Sequence, residues 1–373
     1  MTNKLLTGPR VVNEIMKCGI THVIWLPDAY AKFMYDAMRS QPGLTLVPMC
    51  REGEAIAIAA GLITGGKKAM LLHQSTGLFE SGDSVRLALD YKLPLLLMLG
   101  YVGWQHDVPM TTSAAIYTEP ILDAWHIKHY LLETDDDVEK ISRAYEEANE
   151  TKRPVVVLIT QKDQSELNPQ TSMFKAKKTR MDCFEAEKVI SRHRHNAIVI
   201  TAETANHEWP QISSDPDLDA VSLPHIMGKA SSFGLGLALA LPRHKIIVLD
   251  ADGSLLMNLG SLVTIANMAP TNLIHFVMEN DVYRTTGGQP IPGAGKISFR
   301  GLAKDAGYHH VYEFDKLEDL ESSIETIMSE TGPIFVCLKV QPLTERATFP
   351  SPSSAEAESL SNRLRKAASR SAG

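Results

Sequence analysis

The sequence predicts an α/β protein built from two open parallel-sheet domains, each with helices on both faces. Three observations predict it. Short apolar runs alternate with helix-like segments through both halves of the 373 residues. The most apolar run, LPLLLML at residues 93–99, has the length and bulk of a buried strand. A polar, aperiodic stretch at residues 161–180 separates the halves. Alternation of this kind argues for parallel strands covered by helices.

The elements follow in chain order. Residues 11–18 are amphipathic, and residues 22–26 (HVIWL) form an apolar run that stops at Pro27-Asp28. Residues 44–49 are strand-like and residues 52–62 an Ala-rich helix. Strand-like 69–72, a helix over 81–89, strand 93–99 and strand 154–159 (PVVVLI) complete the first half. The polar stretch ends in a basic run, KAKKTR, at residues 175–180. The second half gives strand 197–201, a Gly/Ala-rich helix 228–241, strand 245–249, helix 258–268, strand 273–278 and strand 333–340. The expected domains are therefore residues 1–165 and 184–345, with a linker at 166–183. A Ser/Ala/charge-rich tail at 346–373 is either flexible or a short helix.

Composition narrows the function. Hydrophobic residues make up 44% and charged residues 22%, as in soluble globular proteins. A net charge of −7 offers no footprint for nucleic acid, so an anionic ligand must be held by local positive groups. Cys18, Cys50, Cys183 and Cys337 have no CxxC spacing, which argues against a disulfide framework or a zinc site. The first residues lack the apolar core of a signal peptide, and the longest apolar run is too short to span a bilayer. No membrane partner and a cytoplasmic location are expected.

In open α/β sheets ligands bind beyond the carboxyl ends of the strands. The strand at 245–249 runs into Asp250-Ala251-Asp252-Gly253-Ser254, and the strand at 273–278 into Glu279-Asn280-Asp281. A carboxylate, an amide oxygen and a loop carbonyl are hard ligands suited to Mg²⁺ holding phosphate oxygens. Gly253 permits close backbone approach, and the following helix start favours an anion. An Asp-Gly pair after a strand is also an ordinary turn, and only its pairing with Asn280 adds weight. Neither GxGxxG after the first strand nor GxxxxGK[ST] is present, which removes the common nucleotide-binding signatures.

Asp252-Gly253-Ser254 followed one helix later by Asn280 resembles the Mg²⁺–diphosphate signature of the thiamine-diphosphate enzymes. The family pattern is GDG with NN or DN; this chain has Ala251 and Glu279 at the variable positions. By resemblance, Asp252, Asn280 and the Val282 carbonyl would hold Mg²⁺, with Gly228, Gly253, Ser254 and Tyr283 beside the cofactor. Met227 would be the bulky residue under the thiazolium ring, although a plain core role fits it equally. Thr285 to Pro290 (TTGGQP) is similar to the loop that closes over the diphosphate. In the first half, Glu52 opens the run REGEAIAIAAG, similar to the pyrimidine-binding domain, where a buried Glu contacts the aminopyrimidine and promotes loss of the C2 proton. A helix-start acid complementing the dipole is the other reading of Glu52, and also of Glu54.

The resemblance spans residues 8 to 342 and is strongest to the short sulfopyruvate and phosphonopyruvate decarboxylases. Besides the motifs above, His73-Gln74-Ser75-Thr76-Gly77 and GLGLALALP carry it. It implies decarboxylation of a small 2-oxo acid bearing a second anionic group, with thiamine diphosphate and Mg²⁺ as cofactors. It also implies a homodimer or larger homo-oligomer whose sites combine Glu52 of one subunit with Asp252 and Asn280 of another. Catalytic candidates are Glu52, His73, Gln74 and His225; Ser75, Thr76, His106 and Arg284 are further candidates for reading the substrate. For each single histidine a structural role fits as well. A carboligase, or a non-catalytic partner subunit, would share the same cofactor contacts.

Overall fold

The computed structural model describes residues 5–106, 108–161, 180–221, 223, 225–342, 362–364 and 366. The chain divides into two compact units, Met1–Thr171 and Ser172–Gly373. Each unit has one six-stranded sheet whose paired strands all run parallel.

In the first unit the strands are β1 (His22–Trp25), β2 (Thr45–Pro48), β3 (Ala69–Gln74), β4 (Leu96–Gly100), β5 (Lys128–Leu132) and β6 (Val155–Ile159). Their order is β2-β1-β3-β4-β6-β5. β4 and β6 are buried at every residue, because helices cover the sheet. The helix Gly8–Lys17 places Val11, Val12 and Ile15 in a core with Val23, Met70, Met98 and Val157. The sequence reading found every interior strand and missed β5 at the edge. The helices Ser113–Ala124 and Lys140–Thr151 were also not anticipated.

The second unit carries β7 (Ile198–Thr201), β8 (Asp219–Ala220), β9 (Ile246–Ala251), β10 (Leu273–Glu279), the short hairpin β11 (Val282–Tyr283) and β12 (Gln289–Pro290), then β13 (His310–Phe314) and β14 (Ile334–Lys339). The sheet order is β13-β14-β10-β9-β7-β8. Helix Cys183–His193 is N-capped by Asp182, whose carboxylate accepts the Glu185 amide at 3.1 Å. Most of the expected linker lies outside the described residues. Its last four residues are ordered parts of the second unit: Met181 bridges to Val340, and Cys183 starts a helix. Of the expected tail, only residues 362–364 and 366 are described, and they are helical.

Both sheets change direction at an interior strand. The chain steps from β1 outward to β2 and returns to β3 on the other side of β1; it does the same from β7 to β8 and back to β9. The crevices at such reversals lie at strand carboxyl ends, where ligands bind in open α/β sheets. Asp28, Gln74-Ser75, Glu203-Thr204 and Asp250–Asp252 occupy those ends. Among the described residues no helix is long and apolar enough to cross a membrane.

Candidate active site

β9 and β10 are neighbours in register, with Met278 opposite Ala251, so the residues that follow them emerge level. Asp252 is 1% exposed, and both of its oxygens are used. Oδ2 accepts the backbone amides of Asn280 (2.9 Å) and Asp281 (2.7 Å), and Oδ1 that of Gly253 (2.7 Å). Burial pushes the Asp252 carboxyl up to about 7; the amides pull it down, and the nearby Asp281 and Glu279 carboxylates push it further up. Asn280 Oδ1 accepts the Val282 amide at 2.9 Å, which turns the Val282 carbonyl segment into the same loop. Two strands separated by a helix thus deliver one compact oxygen-rich loop.

The glycines around it are required by packing. A side chain at Gly253 would lie 2.8 Å from the Tyr283 ring. Gly228 has φ +72°, donates its amide to Ser254 Oγ (3.0 Å), and leaves no room for a Cβ beside Met257 (2.9 Å). Gly228, Gly253, Ser254 and Tyr283 are therefore packed round the loop, with half-buried Met227 immediately before Gly228. A pocket opens beside them at the ends of β7, β9, β10 and β14, lined by Thr204, Asp250, Ala251, Asn280 and Arg284 among others.

Ala251, which departs from the family pattern, and His225 differ in backbone conformation. Ala251 has φ −115° and ψ 154°, extended backbone that any residue adopts, so its methyl group fits without strain. His225 has φ +56° and is exposed, so a residue with a Cβ holds a left-handed conformation there.

In the first unit Glu52 is the first residue of the helix Glu52–Thr64 and is 6% exposed. The Glu54 carboxylate accepts the Cys50 amide at 2.7 Å. Gly77, at the start of the segment after β3, packs against Glu52 and His73 together. A Cβ there would fall 2.4 Å from Glu52 Cγ and 2.7 Å from His73 Nδ1. His73 is 1% exposed, and its Nδ1 lies 2.7 Å from the Gln74 carbonyl, which assigns the proton to Nδ1. Burial lowers its pKa to about 4 against the pull of that carbonyl, so the ring is neutral, and Nε2 is buried without a hydrogen-bond partner. Gln74 is half-buried and accepts from Thr76 Oγ1 (3.3 Å); Ser75 Oγ accepts the Val102 amide (3.2 Å).

Asp28 also belongs to this cluster, and the sequence reading did not single it out. It is 2% exposed, Oδ1 accepts the Tyr30 (2.5 Å) and Ala31 (3.2 Å) amides, and Oδ2 is buried without a partner. Burial raises its pKa to about 7, and the Glu52 carboxylate adds to the rise. The available signal was its place directly after the apolar run of β1. Other candidates stand elsewhere. Arg51 pairs with Glu80 (2.5 Å), His106 is largely exposed and lies 3.9 Å from Glu133, and Arg284 is held by Glu208 at 2.9 Å.

The donor set of the second unit fits a hard divalent cation: one buried carboxylate, one amide oxygen and one loop carbonyl, with no thiol or imidazole among them. Comparison with known proteins agrees. Residues 220–338 match the family model "Thiamine pyrophosphate enzyme, C-terminal TPP binding domain". The chain is 27% identical to a phosphonopyruvate decarboxylase of Streptomyces viridochromogenes, over 87% of this chain and 86% of that protein. It is 42% identical to the sulfopyruvate decarboxylase subunit beta of Methanothermobacter thermautotrophicus, over 31% of this chain and 59% of that protein. It is 28% identical to the sulfopyruvate decarboxylase subunit alpha of Methanococcus maripaludis, over 40% of this chain and 91% of that protein. Residues 220–338 are thus a C-terminal TPP-binding domain of the thiamine pyrophosphate enzymes, in a chain similar over most of its length to phosphonopyruvate decarboxylase.

Proposed function

We propose that this chain is a thiamine-diphosphate- and Mg²⁺-dependent decarboxylase that releases CO₂ from a small 2-oxo acid carrying a second anionic group, phosphonopyruvate or sulfopyruvate. The observation that carries the proposal is the loop in which the Asp252 carboxylate gathers the Asn280 and Asp281 amides, inside the matched TPP-binding domain. Asp252, Asn280 and the Val282 carbonyl would hold Mg²⁺; Gly228, Gly253, Ser254 and Tyr283 would line the diphosphate, and Met227 would support the thiazolium. When bound, thiamine diphosphate supplies a nucleophilic carbon and a sink for the electron pair left by CO₂.

The chain's own groups then handle protons and exclude water. Glu52, buried at the start of its helix, would hold a proton at its carboxyl next to the aminopyrimidine. Asp28 and His73 lie in the same dry cluster. With a pKa near 7, Asp28 both gains and loses a proton at neutral pH, which suits a group that returns one to the product. His73, neutral with a free Nε2 lone pair, suits acceptance of a hydrogen bond, and Gln74 offers an amide beside it. For the substrate's second anion, His225 is the better candidate: it is exposed next to Met227, whereas the charge of Arg284 is already balanced by Glu208.

A homodimer or larger homo-oligomer, with sites between subunits, belongs to the same proposal. Helices Glu52–Thr64 and Ala230–Ala240 are apolar on nearly every side, yet Ala57, Phe233 and Leu239 are exposed on them. A helix of that kind is normally covered.

The test is CO₂ release from phosphonopyruvate, sulfopyruvate, pyruvate and a bulky aromatic 2-oxo acid with thiamine diphosphate and Mg²⁺. The proposal expects turnover of one of the two dianionic acids. No CO₂ from any of them, with the cofactor bound, would favour a carboligase or a partner subunit instead.

A further inference from the structure

The loop that carries Asn280 and Val282 is held from outside by two cations. Asp281, between the two proposed ligands, has φ +65°, a left-handed conformation uncommon outside glycine. Both oxygens of its side chain are engaged: Arg180 Nη2 forms an ion pair with Oδ2 at 2.6 Å, without hydrogen-bond alignment, and the Gly295 amide donates to Oδ1 at 2.9 Å. Its carbonyl accepts the Ile291 amide at 3.1 Å. Arg180 is itself anchored, since Gln341 Nε2 donates to its carbonyl at 2.9 Å and the next residue, Met181, bridges to Val340. One residue before the ligand Asn280, the Glu279 carboxylate receives Lys339 Nζ at 2.9 and 3.2 Å and the Cys337 thiol at 3.0 Å. Glu279 and Lys339 face each other directly in the β10–β14 register.

Asp252, Glu279 and Asp281 are each 2% exposed or less. Three buried carboxylates so close would repel one another, and each ion pair removes one of them from that repulsion. Among the described residues, the one of these three left without a side-chain cation is Asp252, which would meet the metal.

We propose that Arg180 and Lys339 form an ion-pair clamp, through Asp281 and Glu279, that fixes the shape and charge of the metal-holding loop before any cofactor arrives. This rests on the cofactor reading above. Both are positioning residues, since neither would touch the metal. Glu279 stands where the family pattern has Asn or Asp, and Lys339 is the partner that makes a glutamate acceptable there.

The experiment titrates Mg²⁺ into the full-length chain with saturating thiamine diphosphate, by calorimetry, for wild type, Arg180→Met, Arg180→Lys, Asp281→Asn and the Arg180→Met/Asp281→Asn double variant. Amide hydrogen exchange of residues 279–282 is followed in the same proteins without cofactor. Supporting-group substitutions weaken metal binding about 10- to 100-fold. The clamp expects a loss of that size for Arg180→Met and for Asp281→Asn, no further loss in the double variant, and partial recovery in Arg180→Lys. It also expects faster exchange of the loop amides while the rest of the second unit keeps its protection. Wild-type affinity and exchange in Arg180→Met would overturn the clamp and leave the cofactor reading standing. A wild-type chain that binds no Mg²⁺ with thiamine diphosphate would overturn both.

Discussion

The two units hold their proposed functional groups by opposite means. In the second unit, fixed partners surround the carboxylates: Arg180 and Lys339 pair with Asp281 and Glu279, and three backbone amides converge on Asp252, whose carboxyl burial still pushes up to about 7. In the first unit, Asp28 and His73 are buried without a charged partner, and both are pushed toward their neutral forms, Asp28 near 7 and His73 near 4. On the proposed function, one region would receive a cation and a diphosphate and the other would pass protons. The difference teaches that burial alone does not define a site's chemistry: it raises Asp252 and Asp28 alike to about 7, and what distinguishes the two sites is the set of ion pairs around the Asp252 loop.

The largest expected effect breaks the charged half outright. Asp252→Ala removes the carboxylate at the centre of the metal loop and frees the Asn280 and Asp281 amides it gathers. Mg²⁺-dependent binding of thiamine diphosphate should disappear in calorimetry while far-ultraviolet circular dichroism stays native. Retained binding would show that the two halves do not differ as described.

Gly77→Ala probes the neutral half by space alone. The new methyl group must displace Glu52 or His73. A displacement of about 1 Å at a reacting group costs roughly 100-fold in rate. Steady-state kinetics should show a fall of that order in kcat, with Mg²⁺ affinity unchanged because the metal loop lies in the other unit.

A pH titration sharpens the contrast. Asp28 has a folded pKa near 7, above its ordinary value, so the proton is bound more tightly in the folded chain. Its stabilising contribution is complete below about pH 4 and is lost as the pH rises through 7. Asp28→Asn keeps an oxygen for the Tyr30 and Ala31 amides but cannot ionise. In denaturant melts, the variant should therefore gain on the wild type between pH 4 and 7 and hold a constant difference above pH 7.5. A variant whose stability relative to the wild type stays flat or falls over that interval would contradict the assignment of Asp28 as a neutral-leaning acid.

The smallest effect concerns His225. Glycine at a left-handed position relieves strain of about 1 kcal/mol or slightly more, offset in part by the freedom glycine gains when unfolded. His225→Gly should raise the melting temperature slightly. If His225 reads the substrate's anion, the same change raises KM for the dianionic acid and leaves Mg²⁺ affinity alone.

What the sequence disclosed follows from how local each feature is. The interior strands β3, β4, β6, β9, β10 and β14 are mostly apolar because both faces are buried, with polar residues gathered mainly at their carboxyl ends. β5, β8 and β13 lie at or near sheet edges, mix polar with apolar residues, and left no run to find. The metal loop was legible because Asp252 and Asn280 each follow a recognisable strand. Asp28 was not, since its neighbours Glu52 and His73 are brought to it only by the strand order. The clamp escaped for the same reason: Arg180 and Asp281 are a hundred positions apart, and nothing in KAKKTR distinguishes its last arginine from a solvated charge.

The central claim is that the chain activates thiamine diphosphate through Glu52. Hydrogen–deuterium exchange at C2 of the cofactor, measured in the presence of Mg²⁺ and without any substrate, tests it most directly. The account predicts exchange far faster than for free thiamine diphosphate, returning nearly to the free rate in Glu52→Gln although that variant still binds the cofactor. Exchange equally fast in Glu52→Gln, or no acceleration by the wild type with cofactor bound, would contradict it.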